Sequence, residues 1–141
     1  DRRVILTGDH VLPTVYPGLG LGGDLGTNPL ADYLASLRRL EPYDDYEVVP
    51  GHGYRFTGLG IRRRGAARHA LRRAREVREI IGREPGATTW EVASQLTWSA
   101  GWENMQSGFL LFSGLSQTEM YRAFVESGGL ESADAVAFGQ A

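Results

Sequence analysis

The sequence predicts an α/β fold that gives way to a mainly helical C-terminal module, and three observations lead there. Two short, β-branched runs, Val4-Ile5-Leu6 and Tyr46-Glu47-Val48-Val49, are bounded by Gly and Pro as strands tend to be. One amphipathic helix pattern separates them. Beyond residue 61 the apolar spacing becomes almost wholly helical.

Residues 1 to 61 hold both strand-like runs, the glycine-rich stretch Gly18 to Gly26, and the helix. In that helix Asn28 can cap, and Pro29 occupies the first turn, where its missing N–H does no harm. Leu30, Tyr33, Leu34 and Leu37 form one apolar face, ending near Leu40, whose expected role is packing on a sheet. The stretch Gly18-Leu19-Gly20-Leu21-Gly22-Gly23 lacks the Lys-Ser/Thr ending and the preceding strand of a phosphate-binding loop. It reads as a mobile loop near a pocket mouth. From Arg62 to Arg83, Ala67, Ala70, Leu71, Ala74, Val77 and Ile81 recur at helical spacing with Arg on most other positions, which predicts a helix bridging two modules.

Glu84-Pro85-Gly86 then signals a turn. A helix opened by Thr88 or Thr89 follows over Trp90 to Leu96, then an aromatic stretch from Trp98 to Phe112 and a helix from Ser116 to Ser127, stopped by Gly128-Gly129. Leu130 to Phe138 is expected as a terminal strand or wing. Helix, helix and a short β-element resemble a winged helix. Trp90, Trp98, Trp102, Phe109 and Phe112 are expected mainly in the core, because aromatics dominate burial in small domains.

A chain of 141 residues with 42% hydrophobic content fits one ordinary domain, or a half-domain with a small module attached. No apolar run approaches the roughly 18 residues of a membrane helix. The start, Asp1-Arg2-Arg3-Val4, does not resemble a signal peptide, so the expectation is a soluble, cytoplasmic chain without membrane contact. Lacking Met and entering a strand almost at once, the N-terminus reads as that of a piece of a longer protein. Zero cysteines exclude disulfides and thiolate ligands, so a metal site must use His, Asp or Glu, and His10, His52 and His69 are the only histidines. All 15 basic residues are Arg, which reads as a genome-composition bias.

The segments Thr7-Gly8-Asp9-His10 and Pro50-Gly51-His52-Gly53 each place a metal-competent side chain where a strand-like run gives way to a loop. Function in α/β sheets collects at such strand ends. An Asp leaving a strand can hold its carboxylate clear of the backbone and bridge two cations. A His between two glycines lets the backbone approach closely while its imidazole points into a pocket. Taken singly, either segment is also an ordinary turn pattern. A carboxylate and an imidazole suit a zinc-like cation, yet two ligands fall short of the three or four that a protein zinc site supplies. The remaining ligands must come from elsewhere.

Three segments in order, Leu6-Thr7-Gly8-Asp9-His10-Val11-Leu12-Pro13, Asn28-Pro29-Leu30-Ala31-Asp32-Tyr33-Leu34-Ala35-Ser36-Leu37 and Val49-Pro50-Gly51-His52-Gly53, resemble the C-terminal half of metallo-β-lactamase-fold hydrolases. The module that follows looks like the winged-helix-like extension of one subgroup. The resemblance implies the C-terminal part of an αββα sandwich over 1–61, a connecting Arg-rich helix over 62–83 and a winged-helix-like module over 84–141. It also implies that Asp9 bridges two zinc ions, that His52 ligates one of them, and that His10 lines the pocket or backs the ligands. The family's His-x-His-x-Asp-His signature and a further ligating His belong upstream and have no match here. The site is therefore incomplete, no general base is assigned, and the isolated chain is expected to be inactive. The full-length protein so implied is a hydrolase with about two zinc ions, cleaving an ester, thioester or phosphodiester with a metal-bound water of pKa about 7.

The arginines invite a different reading. Residues 55 to 83 carry ten Arg against Glu76 and Glu79, a basic stripe that could neutralise phosphates and make the chain a nucleic-acid-binding module, with RNA as a possible partner. Pairs such as Arg72 with Glu76, Arg75 with Glu79 and Glu79 with Arg83 equally describe a solvated helix face. Residues 84 to 141 oppose DNA reading, since Arg122 stands alone against seven acids, with Glu119 and Glu126 on the candidate recognition helix. That module reads better as a lid, a wall of the substrate site or a dimerisation element, which leaves a homo-oligomer possible. His69 is expected in a surface or interdomain hydrogen-bonding role.

Overall fold

The computed structural model describes residues 3–22 and 26–135. Strands β1 (Val4–Gly8) and β2 (Glu47–Pro50) pair in parallel, with Val4 opposite Glu47, Ile5 opposite Val48 and Leu6 opposite Val49. The register shifts after Leu6, so that Gly8 lies opposite Pro50. Parallel neighbours need a crossover connection, and helix α1 (Pro29–Arg39) lies in it. Both strands consequently run out at the same edge of the sheet.

Helix α1 starts as its sequence predicts. Asn28 Oδ1 accepts hydrogen bonds from the backbone N–H groups of Leu30 at 3.0 Å and Ala31 at 3.3 Å, satisfying two of the donors that a helix start leaves open. Leu30, Tyr33, Leu34 and Leu37 are all buried. Helix α2 (Leu59–Arg83) buries Ala67, Ala70, Leu71, Ala74 and Val77, also as expected, while the next buried position falls to Ile80 rather than Ile81.

The chain forms two compact units, Asp1–Pro17 with Tyr33–His69, and Gly18–Asp32 with Ala70–Ala141. The first carries the sheet. A 3-10 turn at Glu41–Tyr43 leads into β2, and beyond β2 the chain turns back so that Phe56 and Val48 exchange backbone hydrogen bonds of 2.8 and 3.1 Å. Arg63, almost fully buried, forks onto Asp44 through Nε at 2.5 Å and Nη2 at 2.8 Å. This bidentate pair ties the first turn of α2 to the residues just before β2.

The second unit contains α3 (Thr89–Gln95), a 3-10 turn at Trp102–Asn104, α4 (Gly108–Glu126) and α5 (Gly129–Ala135). Thr88 caps α3 in a capping box: its Oγ1 accepts from Glu91 N–H, and Glu91 returns a carboxylate oxygen to Thr88 N–H at 2.7 Å. Of the glycine-rich stretch, residues 23–25 lie outside the described residues, while Gly20 lies close against Met120 of α4.

Three expectations need correction here. Leu130–Ala135 is helical rather than a strand or wing, because Gly128 turns left-handed at φ 76° and the following Leu, Glu, Ser and Ala have no β-branching to favour a strand. Residues 136–138 of that expectation lie outside the described residues. Helix α4 begins eight residues before Ser116, since the unbroken apolar run Phe109–Phe112 hides its helical period. Finally, Trp90, Phe109 and Phe112 are 45%, 68% and 56% exposed, so they do not form the core. That place is taken by Val92, Ala93, Leu96, Met105, Met120, Tyr121, Phe124 and Leu130, with Trp98 and Trp102 half-buried beside them.

Candidate metal centre

The parallel register decides the geometry of the site. One step past the sheet, Gly51 N–H donates to Gly8 O at 2.7 Å, so the residues that follow each strand leave side by side. Asp9 Oδ1 and His52 Nδ1, 43 positions apart in the sequence, thereby lie 2.6 Å from each other. With the carboxylate ionised, Nδ1–H is the donor, and the tautomer so fixed keeps the lone pair that a metal needs on Nε2.

Gly51 makes this approach possible. A Cβ at that position would stand 2.5 Å from Asp9 Oδ1 and 3.1 Å from Gly8 C, so a side chain there would displace the carboxylate. On the other side of His52, a Cβ at Gly53 would stand 2.8 Å from Pro13 Cγ. The loop that follows Asp9 thus rests on the loop that carries His52. The Asp9 and His52 side chains are 57% and 79% exposed, and at such exposure a pair contributes about 0–1 kcal/mol. Fold stability does not account for two glycines arranged around it.

His10 faces a different environment. Its backbone N–H donates to Thr7 O at 3.1 Å, and Thr7 Oγ1 donates to Val11 O at 2.9 Å, closing the turn out of β1. The ring packs edge-on against Tyr33 at 4.9 Å, and Tyr33 Oη donates to His10 O at 3.3 Å. Burial, and then the charge of Arg39, hold its pKa below the ordinary imidazole value, which keeps the ring neutral at neutral pH. Its Nε2 is buried without a hydrogen-bond partner among the described residues, an uncommon state for a polar atom and one found one residue from Asp9.

As a metal site this donor set fits in chemistry and falls short in number. Among the described residues no group of three or more His, Cys, Asp or Glu stands close enough to hold an ion. Asp9 and His52 come together at 2.6 Å; His69 does not join them and stacks instead on Tyr16 at 4.3 Å. Sequence reading credits the glycines on either side of His52 with close backbone approach but gives Arg62 no part in the site, because nothing in the run Arg62-Arg63-Arg64 distinguishes one arginine from the next.

The arginines of α2 are largely drawn into the chain's own packing. Arg62 donates to Leu12 O and Val15 O, and Arg63 and Arg64 both reach Asp44. Arg73 lies over the Trp98 ring at 4.6 Å with Glu76 at 3.7 Å, Arg78 lies 3.7 Å from Glu131, and Arg83 donates to Gln95. Among the described residues no helix is long and apolar enough to cross a membrane.

No protein-family model matches the chain. Its fold is that of part of a β-lactamase domain protein from Burkholderia ambifaria, which it matches with a TM-score of 0.68 over 89% of its own length at 24% identity. Over 74 residues, 52% of the chain, it is 35% identical to the probable metallo-hydrolase YqjP of Bacillus subtilis strain 168. The chain spans 23% of the length of that relative and 36% of the solved protein. What the likeness shows is the fold: the chain is built like part of that β-lactamase domain protein, helix-rich around a small parallel sheet among the described residues.

Proposed function

We propose that this chain supplies Asp9 and His52 as two ligands of the metal centre of a metal-dependent hydrolase, the other ligands coming from polypeptide outside these residues. The observation that carries the reading is the 2.6 Å approach of carboxylate and imidazole at the ends of two parallel strands, with glycine where any side chain would part them. A carboxylate with an imidazole suits zinc among the divalent transition metals, and the reading takes zinc, with two ions in the complete centre. Held there, the metal would supply activation of water and polarisation of the scissile carbonyl or phosphoryl group of an ester, thioester or phosphodiester. The chain's own part is to hold the two donors side by side, with His10, the residue after Asp9, packed on Tyr33.

The nucleic-acid reading has less support, since contacts within the chain engage most arginines of α2. Zinc titration of the isotope-labelled chain tests the metal reading. With two ligands the chain binds weakly, so the expected result is a saturable shift of the His52 imidazole and the Asp9 carboxylate before any shift at His69. Undisturbed His52 and Asp9 signals at millimolar zinc, or a first response at His69, refute it.

A further inference from the structure

We infer that Arg62 is the positioning residue of the Asp9–His52 centre, acting through the loop Leu12–Tyr16, which it clamps from the first turn of α2. The inference rests on the metal reading of that centre.

The loop leaves the site directly. It begins three residues after Asp9, starts at the buried Leu12 next to the buried Val11, and lies with Pro13 against Gly53, the residue after His52. A shift of this loop therefore reaches both donors, one through the chain and the other through the Pro13–Gly53 contact. Arg62 holds it at three points. Its Nε donates to Leu12 O at 2.5 Å, its Nη2 donates to Val15 O, and its guanidinium plane lies 4.2 Å from the centre of the Tyr16 ring. His69 also stacks on that ring, at 4.3 Å with an interplanar angle of 19°. No other side chain type offers this combination: two carbonyls three residues apart need a planar fork of donors, and the ring needs a flat cation. Lys can supply one donor at a time and does not stack in the same way.

The arrangement differs from that of Arg63, one residue away. Arg63 is buried and neutralised by Asp44, a role in holding the fold. Arg62 spends its donors on uncharged backbone of a single loop, the one that follows Asp9 and rests with Pro13 on Gly53. Groups that orient metal ligands from behind commonly change metal affinity by 10–100-fold when removed.

The test compares Arg62→Ala and Arg62→Lys with Arg68→Ala, an exposed arginine on the same helix. Each labelled chain is melted, its amide spectrum recorded and zinc titrated. The expected result for Arg62→Ala is a cooperative melt, displaced amide signals at Gly8–Tyr16 and Gly51–Gly53, and zinc binding at His52 weakened about tenfold. Arg62→Lys recovers part of both effects, and Arg68→Ala shows neither. If Arg62→Ala does not fold, Arg62→Lys carries the test through the same signals. Unchanged signals and affinity at Asp9 and His52 in a folded Arg62 variant overturn the inference, as does an equal change in Arg68→Ala. If the unaltered chain shows no zinc response at His52, the metal reading fails, and the amide signals at Gly8–Tyr16 and Gly51–Gly53 still decide whether Arg62 positions them.

Discussion

Replacing Gly51 by Ala isolates the geometry of the site from the stability of the fold. The new Cβ would stand 2.5 Å from Asp9 Oδ1, about 0.9 Å inside the 3.4 Å at which ordinary contact begins, and 3.1 Å from Gly8 C. Something must move, and the movable group is the exposed Asp9 carboxylate. Swinging it aside costs about 0.5–1.5 kcal/mol of off-rotamer strain, and the backbone of Gly8 need yield only a few tenths of an ångström. A displacement of about 1 Å from a 2.6 Å contact breaks the hydrogen bond to His52. The expected outcome is a cooperative melt with Tm lowered by only a few degrees, as about 1 kcal/mol implies for a chain of this size, together with a tenfold or greater loss of zinc affinity at His52. Differential scanning calorimetry and a zinc titration followed at the His52 ring measure the two parts separately. Zinc affinity and His52 signals identical to those of the unaltered chain would show that the close approach at Gly51 does not hold the donors together.

Asp44→Ala leaves the buried Arg63 guanidinium without its carboxylate and is expected to destabilise the chain by roughly 3 kcal/mol in urea unfolding, a loss that Arg63→Met in the same chain largely reverses. Thr88→Ala removes the cap of α3 and costs about 1 kcal/mol by the same assay. Gly65→Ala, inside α2 with nothing nearer the new methyl than Tyr16 Oη at 3.7 Å, raises stability by about 0.5–1 kcal/mol. Burial pushes the Tyr121 phenol up to about 12 from an unfolded value near 10.0. Its stabilising contribution is complete below pH 10 and is lost as pH rises towards 12, because the unfolded chain sheds that proton first. Urea unfolding across this range should therefore show a decline of up to about 1.4 kcal/mol per pH unit that Tyr121→Phe abolishes.

The elements that sequence reading places well are those whose signal is local. Asn28-Pro29 and the Leu30, Tyr33, Leu34, Leu37 face specify α1 because capping and a 3.6-residue period are written in consecutive residues. Thr88 with Glu91 does the same for α3. Where the signal is local but uniform it misleads. Phe109-Leu110-Leu111-Phe112 has no polar position to reveal a period, and its aromatic residues look like core although Phe109 and Phe112 face solvent. Leu130 onward looks like a strand only if the helix-forming residues after Gly128 are discounted.

Sequence alone determined which atoms could serve at the site. A chain without cysteine and with three histidines leaves carboxylate and imidazole as donors, and glycines beside Asp9 and His52 mark the two loops. Tertiary structure decided that these loops meet. The parallel register that sets Gly8 opposite Pro50 brings Asp9 and His52 within 2.6 Å, while α2 stacks His69 on Tyr16 and aims Arg62, rather than its neighbours, at the Leu12 and Val15 carbonyls. The physical reason is that strand pairing and a guanidinium fork act between residues some forty to fifty positions apart, and no periodicity along the chain encodes which distant carbonyl a given donor will find.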